Sequence, residues 1–105
     1  MNKKLLGNML KQAQDIEERM AKAQEEAAQK VVSASSGGNM VTVRMNGKQE
    51  LFSITIDPEI VQSGDVEMLQ DLIVAAVNEG VRKSREYMED EMKAITGGME
   101  IPGFF

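Results

Sequence analysis

A chain of 105 residues and 11.6 kDa has the size of one compact domain, because two domains sharing that length would each struggle to bury a core. Its 42% hydrophobic and 28% charged residues match ordinary globular usage, and the longest uncharged apolar run, residues 72–77, falls far short of the roughly 20 residues of a membrane helix. With no Cys and no His, disulfide frameworks, thiolate nucleophiles, sulfur- or imidazole-bound zinc and the usual neutral-pH general base are excluded. The expectation is a single cytoplasmic domain without a membrane span. No enzymatic activity, metal, cofactor or small-molecule substrate is expected of it.

The opening Met1-Asn2-Lys3-Lys4-Leu5-Leu6 starts like a signal peptide, but Gly7-Asn8 and Lys11-Gln12 interrupt it before an apolar core forms. From residue 3 to about residue 30, Leu6, Met9, Ala13, Ile16, Met20, Ala23 and Ala27 recur at spacings of three and four, which predicts one long helix with a single apolar stripe. The pattern then changes period. Residues 31–36 are short, β-branched or small, and Gly37-Gly38-Asn39 supplies a turn of positive φ. Residues 40–45 alternate, with Val41, Val43 and Met45 opposite Thr42 and Arg44. Asn46-Gly47 predicts a tight hairpin, and residues 49–57 alternate again with Phe52, Ile54 and Ile56 on one face. A three-stranded antiparallel meander accounts for the stretch.

Asp57-Pro58 ends the third strand, and residues 59–62 are long enough for one helical turn. Ser63-Gly64-Asp65 offers an N-cap for a second long helix from about residue 66 to residue 96. Its stripe is Leu69, Leu72, Ile73, Ala76, Val77, Val81, Ser84, Met88, Met92 and Ile95, and Gly97-Gly98 is its stop. Gly80 inside it costs about 1 kcal/mol relative to Ala, so a packing reason is expected. Residues 97–105 read as a short tail. The fold class is therefore α+β, in the order α-β-β-β-α.

Helices of these lengths span about 42 and 46 Å, while a strand of six or seven residues covers only about 20 to 23 Å. Both helices must overhang the sheet while still carrying apolar stripes. Either the two helices of one chain pack on each other beyond the sheet, or a second copy covers them; a homodimer is expected, since symmetric pairs are the commonest soluble oligomers. Met9, Ile16, Met20, Met88, Met92 and Ile95 are its expected seam.

The 17 acidic residues outnumber the 12 basic ones, for a net charge of −5. Residues 1–14 carry +3, residues 15–30 carry −2, residues 31–57 balance and residues 58–105 carry −6. Most helical cations have an acidic residue four positions away, which predicts a surface laced with ion pairs. Lys3, Lys4, Arg44 and Lys48 do not. The densest basic cluster is Arg82, Lys83 and Arg85.

Ordered along the chain are Leu6-Gly7-Asn8-Met9-Leu10-Lys11-Gln12-Ala13-Gln14, Gly37-Gly38 with Val41-Thr42-Val43 and Asn46-Gly47, and Ile56-Asp57-Pro58-Glu59. Then follow Met68-Leu69-Gln70-Asp71-Leu72-Ile73-Val74-Ala75-Ala76-Val77-Asn78, Gly97-Gly98-Met99 and Pro102-Gly103-Phe104. Any one of these is weak, but as an ordered set they resemble the bacterial YbaB/EbfC family of nucleoid-associated proteins over nearly the whole chain. The resemblance implies a tweezer-like homodimer with projecting helices, located in the nucleoid, that binds double-stranded DNA and alters its conformation, with an influence on gene expression as the expected consequence. Lys3, Lys4 and Lys11 on the first helix, with Arg82, Lys83 and Arg85 on the second, are the residues expected to meet phosphates. The competing reading is a non-enzymatic interaction module whose projecting helices bind a partner protein.

Overall fold

Residues 2–97 are described by a computed structural model, and their element order is α1 (Lys3–Gln29), β1 (Val32–Ser36), β2 (Val41–Met45), β3 (Leu51–Ile56), α2 (Pro58–Gln62) and α3 (Val66–Thr96). The expected tail lies outside the described residues, apart from Gly97. Local chemistry sets each helix boundary. Asn2 Oδ1 accepts from the Leu5 amide at 2.7 Å to cap α1, and Asp57 and Asp65 do the same for α2 and α3 at 2.9 and 3.0 Å. Gly97, at φ 67°, ends α3 in the left-handed conformation.

The strands form an antiparallel meander in the order β1-β2-β3, with Val43 opposite Ala34 on one side and Ile54 on the other. One face of this sheet meets α3, which lies across β1 and β2. Val32, Ala34, Val41, Val43, Met45 and Ala76 form the core, with Ile56, Leu69, Leu72, Ile73, Val77 and Val81 at its rim. Fully burying a Val contributes about 1.5–3 kcal/mol, so Val41 and Val43, together with the buried Met45, anchor β2 to the helix. Gly80 has its packing reason here. A Cβ at Gly80 would lie 2.6 Å from Met45 Cε and 3.2 Å from Val43 Cγ2, so the glycine lets helix and sheet close together.

The connection between β2 and β3 differs from the tight hairpin expected from Asn46-Gly47. It spans residues 46–50, and the residue with positive φ is Gln49, not Gly47. Gly47 is needed for space instead, since a Cβ there would stand 2.7 Å from the Tyr87 ring and 3.1 Å from Ala27 Cβ. Its amide donates to Ala27 O at 2.8 Å. Asn46 Oδ1 accepts from the amides of Lys48 and Glu50, and the buried Ser84 hydroxyl donates to Asn46 O at 2.8 Å while accepting from the Gln49 amide at 3.0 Å. The loop is thus clamped between the end of α1 and the middle of α3. For the same reason β3 starts at Leu51 rather than at residue 49, with an irregularity in register beside Arg44 and Met45.

Beyond the sheet, α1 packs on α3. Burial along its stripe fades with distance from the sheet: Ala27 and Ala23 are buried, Met20 and Ile16 half-buried, and residues 2–15 all exposed. The molecule extends 72 Å by 21 Å by 16 Å. The overhang expected from helix length is therefore real, and its inner part is closed within one chain.

Candidate nucleic-acid interface

The first half of α1 is a bare helical arm, and Lys3, Lys4 and Lys11 stand on it, all exposed. Among the described residues none of the three has a carboxylate within ion-pairing distance. The pairing expected of the helical cations is mostly not formed. Of the cations in the described residues only Arg19, 3.4 Å from Asp15, and Arg82 hold ion pairs. Long exposed side chains gain little from such pairs, at most about 1 kcal/mol, and lose rotamer freedom on forming them. More positive charge is therefore available than the spacing suggested.

The Arg82, Lys83 and Arg85 cluster divides by environment. Arg82 donates to Glu79 through Nε and Nη2 at 3.1 and 2.7 Å and to Glu86 through Nη1 at 2.9 Å. The forked bonds from Arg82 hold the Glu79 carboxyl below the usual carboxylate range, and Glu79 in turn raises the guanidinium's pKa. This arginine is already saturated with carboxylate. Lys83 Nζ reaches Ser33 O at 3.3 Å, tying α3 to β1. Arg85 is exposed and holds no ion pair among the described residues.

The two basic groups are not brought together. Ala27 sits beside Gly47 and Tyr87, and Lys3 lies about 36 Å further along the helix axis at 1.5 Å per residue. One chain thus offers two separated cationic points, at the arm tip and at the base. Of the expected seam, Met92 is buried and Ile16, Met20, Met88 and Ile95 are half-buried within a single chain, while Met9 is 49% exposed. The arm also exposes Leu5, Leu6 and Leu10.

Sequence reasoning passed over two surfaces. On β3, Leu51, Phe52 and Ile54 are 44%, 57% and 42% exposed. Ile54 points to the core side, as its pairing with Val43 requires, yet α3 covers β1 and β2 and leaves β3 bare from Leu51 to Ile54, with only Ile56 reaching the core rim. β3 is also an edge strand. The other surface is the sheet face turned away from α3. The signal for both was the strand alternation, but alternation says which residues share a face and not which faces are covered.

Among the described residues no group of Asp or Glu is arranged to hold a metal ion, and no helix is long and apolar enough to cross a membrane. Fold and surface define a small α-β-β-β-α protein whose polar chemistry lies on an extended exterior. The chain belongs to the YbaB/EbfC DNA-binding family, whose sequence profile matches residues 2–99. It is 51% identical over 100 residues to a nucleoid-associated protein of Caldanaerobacter subterraneus subsp. tengcongensis, covering 95% of this chain and 90% of that one. A nucleoid-associated protein of Syntrophobacter fumaroxidans is 52% identical over 96 residues, covering 91% and 87%. Among solved structures, the uncharacterized protein HP0035 from Helicobacter pylori superposes with a TM-score of 0.76 at 26% identity, covering 92% of this chain and 99% of that one.

Proposed function

We propose that this chain acts as a homodimer on the cytoplasmic nucleoid, holding duplex DNA by its phosphate backbone and altering the DNA's conformation, with an effect on gene expression as the downstream consequence. The observation that carries the reading is the bare arm, where Lys3, Lys4 and Lys11 stand exposed without acidic partners among the described residues, in a chain whose net charge is −5. Arg85 is the matching contact at the base, Lys83 a second one, and Arg82 the weakest of the six because two carboxylates already hold it. Backbone contact without base readout fits the residue types, since lysines spread along one helix neutralise phosphates but do not distinguish bases.

The second copy would meet the first along β3. A free edge strand with exposed apolar side chains is a template for pairing, and pairing would cover Leu51, Phe52 and Ile54 together. Met9 and the half-buried Met88 and Ile95 remain as a secondary seam. The exposed Leu5, Leu6, Met9 and Leu10 favour one alternative, an arm that docks on a helix of another protein.

Two measurements test this reading. Anisotropy on a random-sequence duplex should show binding at low salt, with log K falling linearly against log salt at about −0.9 per phosphate neutralised and only a few phosphates per dimer. Light scattering should give twice 11.6 kDa for the parent and a shift toward the monomer for Phe52→Glu. Absence of duplex binding at low salt would favour the protein-docking alternative, and a monomeric parent would remove the dimer.

A further inference from the structure

The sheet face opposite α3 is built from hydroxyls around one cation. In register across the three strands, Ser33, Arg44 and Ser53 form one row and Ser35, Thr42 and Thr55 the next. All six point away from the core, because the alternate positions Val41, Val43 and Met45 are the buried ones. In a chain with 17 acidic residues, none of these six positions carries a carboxylate. Glu50 and Asp57 lie outside β3 at its two ends, and an oxygen of each is already engaged, Glu50 by the Asn46 amide and Asp57 by the α2 cap.

Arg44 is exposed and holds no ion pair among the described residues. Ser35 donates its hydroxyl to Asn39 Oδ1, whereas the hydroxyls of Ser33, Thr42, Ser53 and Thr55 have no hydrogen-bond partner among the described residues. Each retains a donor at a fixed place on a rigid sheet. Among the described residues α3 is the helix in extensive contact with the sheet, and it lies on the opposite face.

We propose that this open face is a second contact surface for the phosphate backbone of duplex DNA, with Arg44 at its centre and Thr42, Ser53 and Thr55 donating beside it. The inference rests on the DNA-binding reading and adds a site to it. Charge complementarity selects the occupant: two hydroxyl-lined rows with one unpaired guanidinium and no carboxylate among their six positions suit a polyanion, since Ser, Thr and Arg all donate to phosphate oxygens. Aromatic side chains are absent from the six positions, so unstacked bases of a single strand find no platform. A second copy stacked on the face would set one Arg44 against another.

Two variants separate charge from hydroxyl. Arg44→Glu should weaken duplex binding by about tenfold and make the log K against log salt slope shallower by about 0.9 for each phosphate it no longer neutralises. The double change Thr42→Val with Thr55→Val keeps shape and strand preference, and should weaken binding several-fold with the salt slope unchanged, because an uncharged donor releases no counterion. Both variants should keep the parent's melting temperature and mass. Parental affinity and slope in both would overturn the proposal while leaving the arm as the DNA site. A change of mass in Arg44→Glu would overturn it in favour of a contact between copies. A parent that binds no duplex would overturn this surface and the DNA reading together.

Discussion

At its C-terminal end α1 buries Ala23 and Ala27, whereas from residue 2 to residue 15 every position is exposed, including Leu5, Leu6, Met9 and Leu10. The same helix is held by packing at one end and by backbone propensity at the other. An isolated helix of about 13 residues is marginal in water because nucleation is costly, but this arm extends a helix already nucleated at the base. At the base, glycines serve close approach: Gly80 admits Met45, and Gly47 admits the Tyr87 ring. On the arm, Gly7 has nothing within 4 Å of a built Cβ. The contrast teaches where substitutions should be felt as stability and where as binding.

The largest effect should come from filling the closest approach. Gly80→Val should destabilise the chain by about 3 kcal/mol, from overpacking against Met45 and Val43, read as a lower urea midpoint with unchanged slope. Ser84→Ala should cost about 1 kcal/mol, since it removes the hydroxyl that bonds both the part-buried Gln49 amide and Asn46 O and so frees the β2–β3 loop from α3. A stability equal to the parent's would mean that water replaces the hydroxyl without loss. Gly7→Ala on the arm should add less than about 1 kcal/mol of local helix stability. It should slow amide exchange in residues 3–12 and leave the global midpoint unchanged. A raised midpoint would show that the arm is packed in solution.

The smallest effect concerns the single tyrosine. Burial pushes the Tyr87 phenol above its ordinary value, with the Glu91 and Glu26 carboxylates adding to the shift and Lys30 Nζ 5.6 Å from the ring centre. The folded state thus holds this proton more tightly than the unfolded state. The contribution is intact below pH about 10 and is lost as pH rises through the raised value. Ultraviolet titration of the parent should place the midpoint above 10, and Glu91→Gln should bring it down.

Element types were legible because period is a local property: the 3.6-residue stripe of α1 and the two-residue alternation of β2 are written in neighbouring residues. Caps were legible for the same reason, as Asp65 and Gly97 show. The β2–β3 connection was not, because Gly47 is selected by Tyr87 and Ala27 from distant parts of the chain. The state of the cations was equally non-local in its outcome. Spacing places Lys11 beside Asp15, and Arg19 takes that carboxylate instead. The bare face of β3 depends on where α3 crosses the sheet, which alternation does not encode. Arg44 was visible as a cation without an acidic partner, but its hydroxyl surroundings emerge only from register.

The division between a folded base and a proposed binding arm is tested most directly by reversing the arm's charge and reading stability and binding on the same sample. Replacing Lys3, Lys4 and Lys11 with Glu should leave the melting temperature and mass of the parent in place, because those side chains touch nothing that folds. The same protein should lose most of its low-salt affinity for a random duplex, and any residual binding should show a shallower salt slope. Parental affinity and slope in this triple variant, with fold intact, would contradict the account.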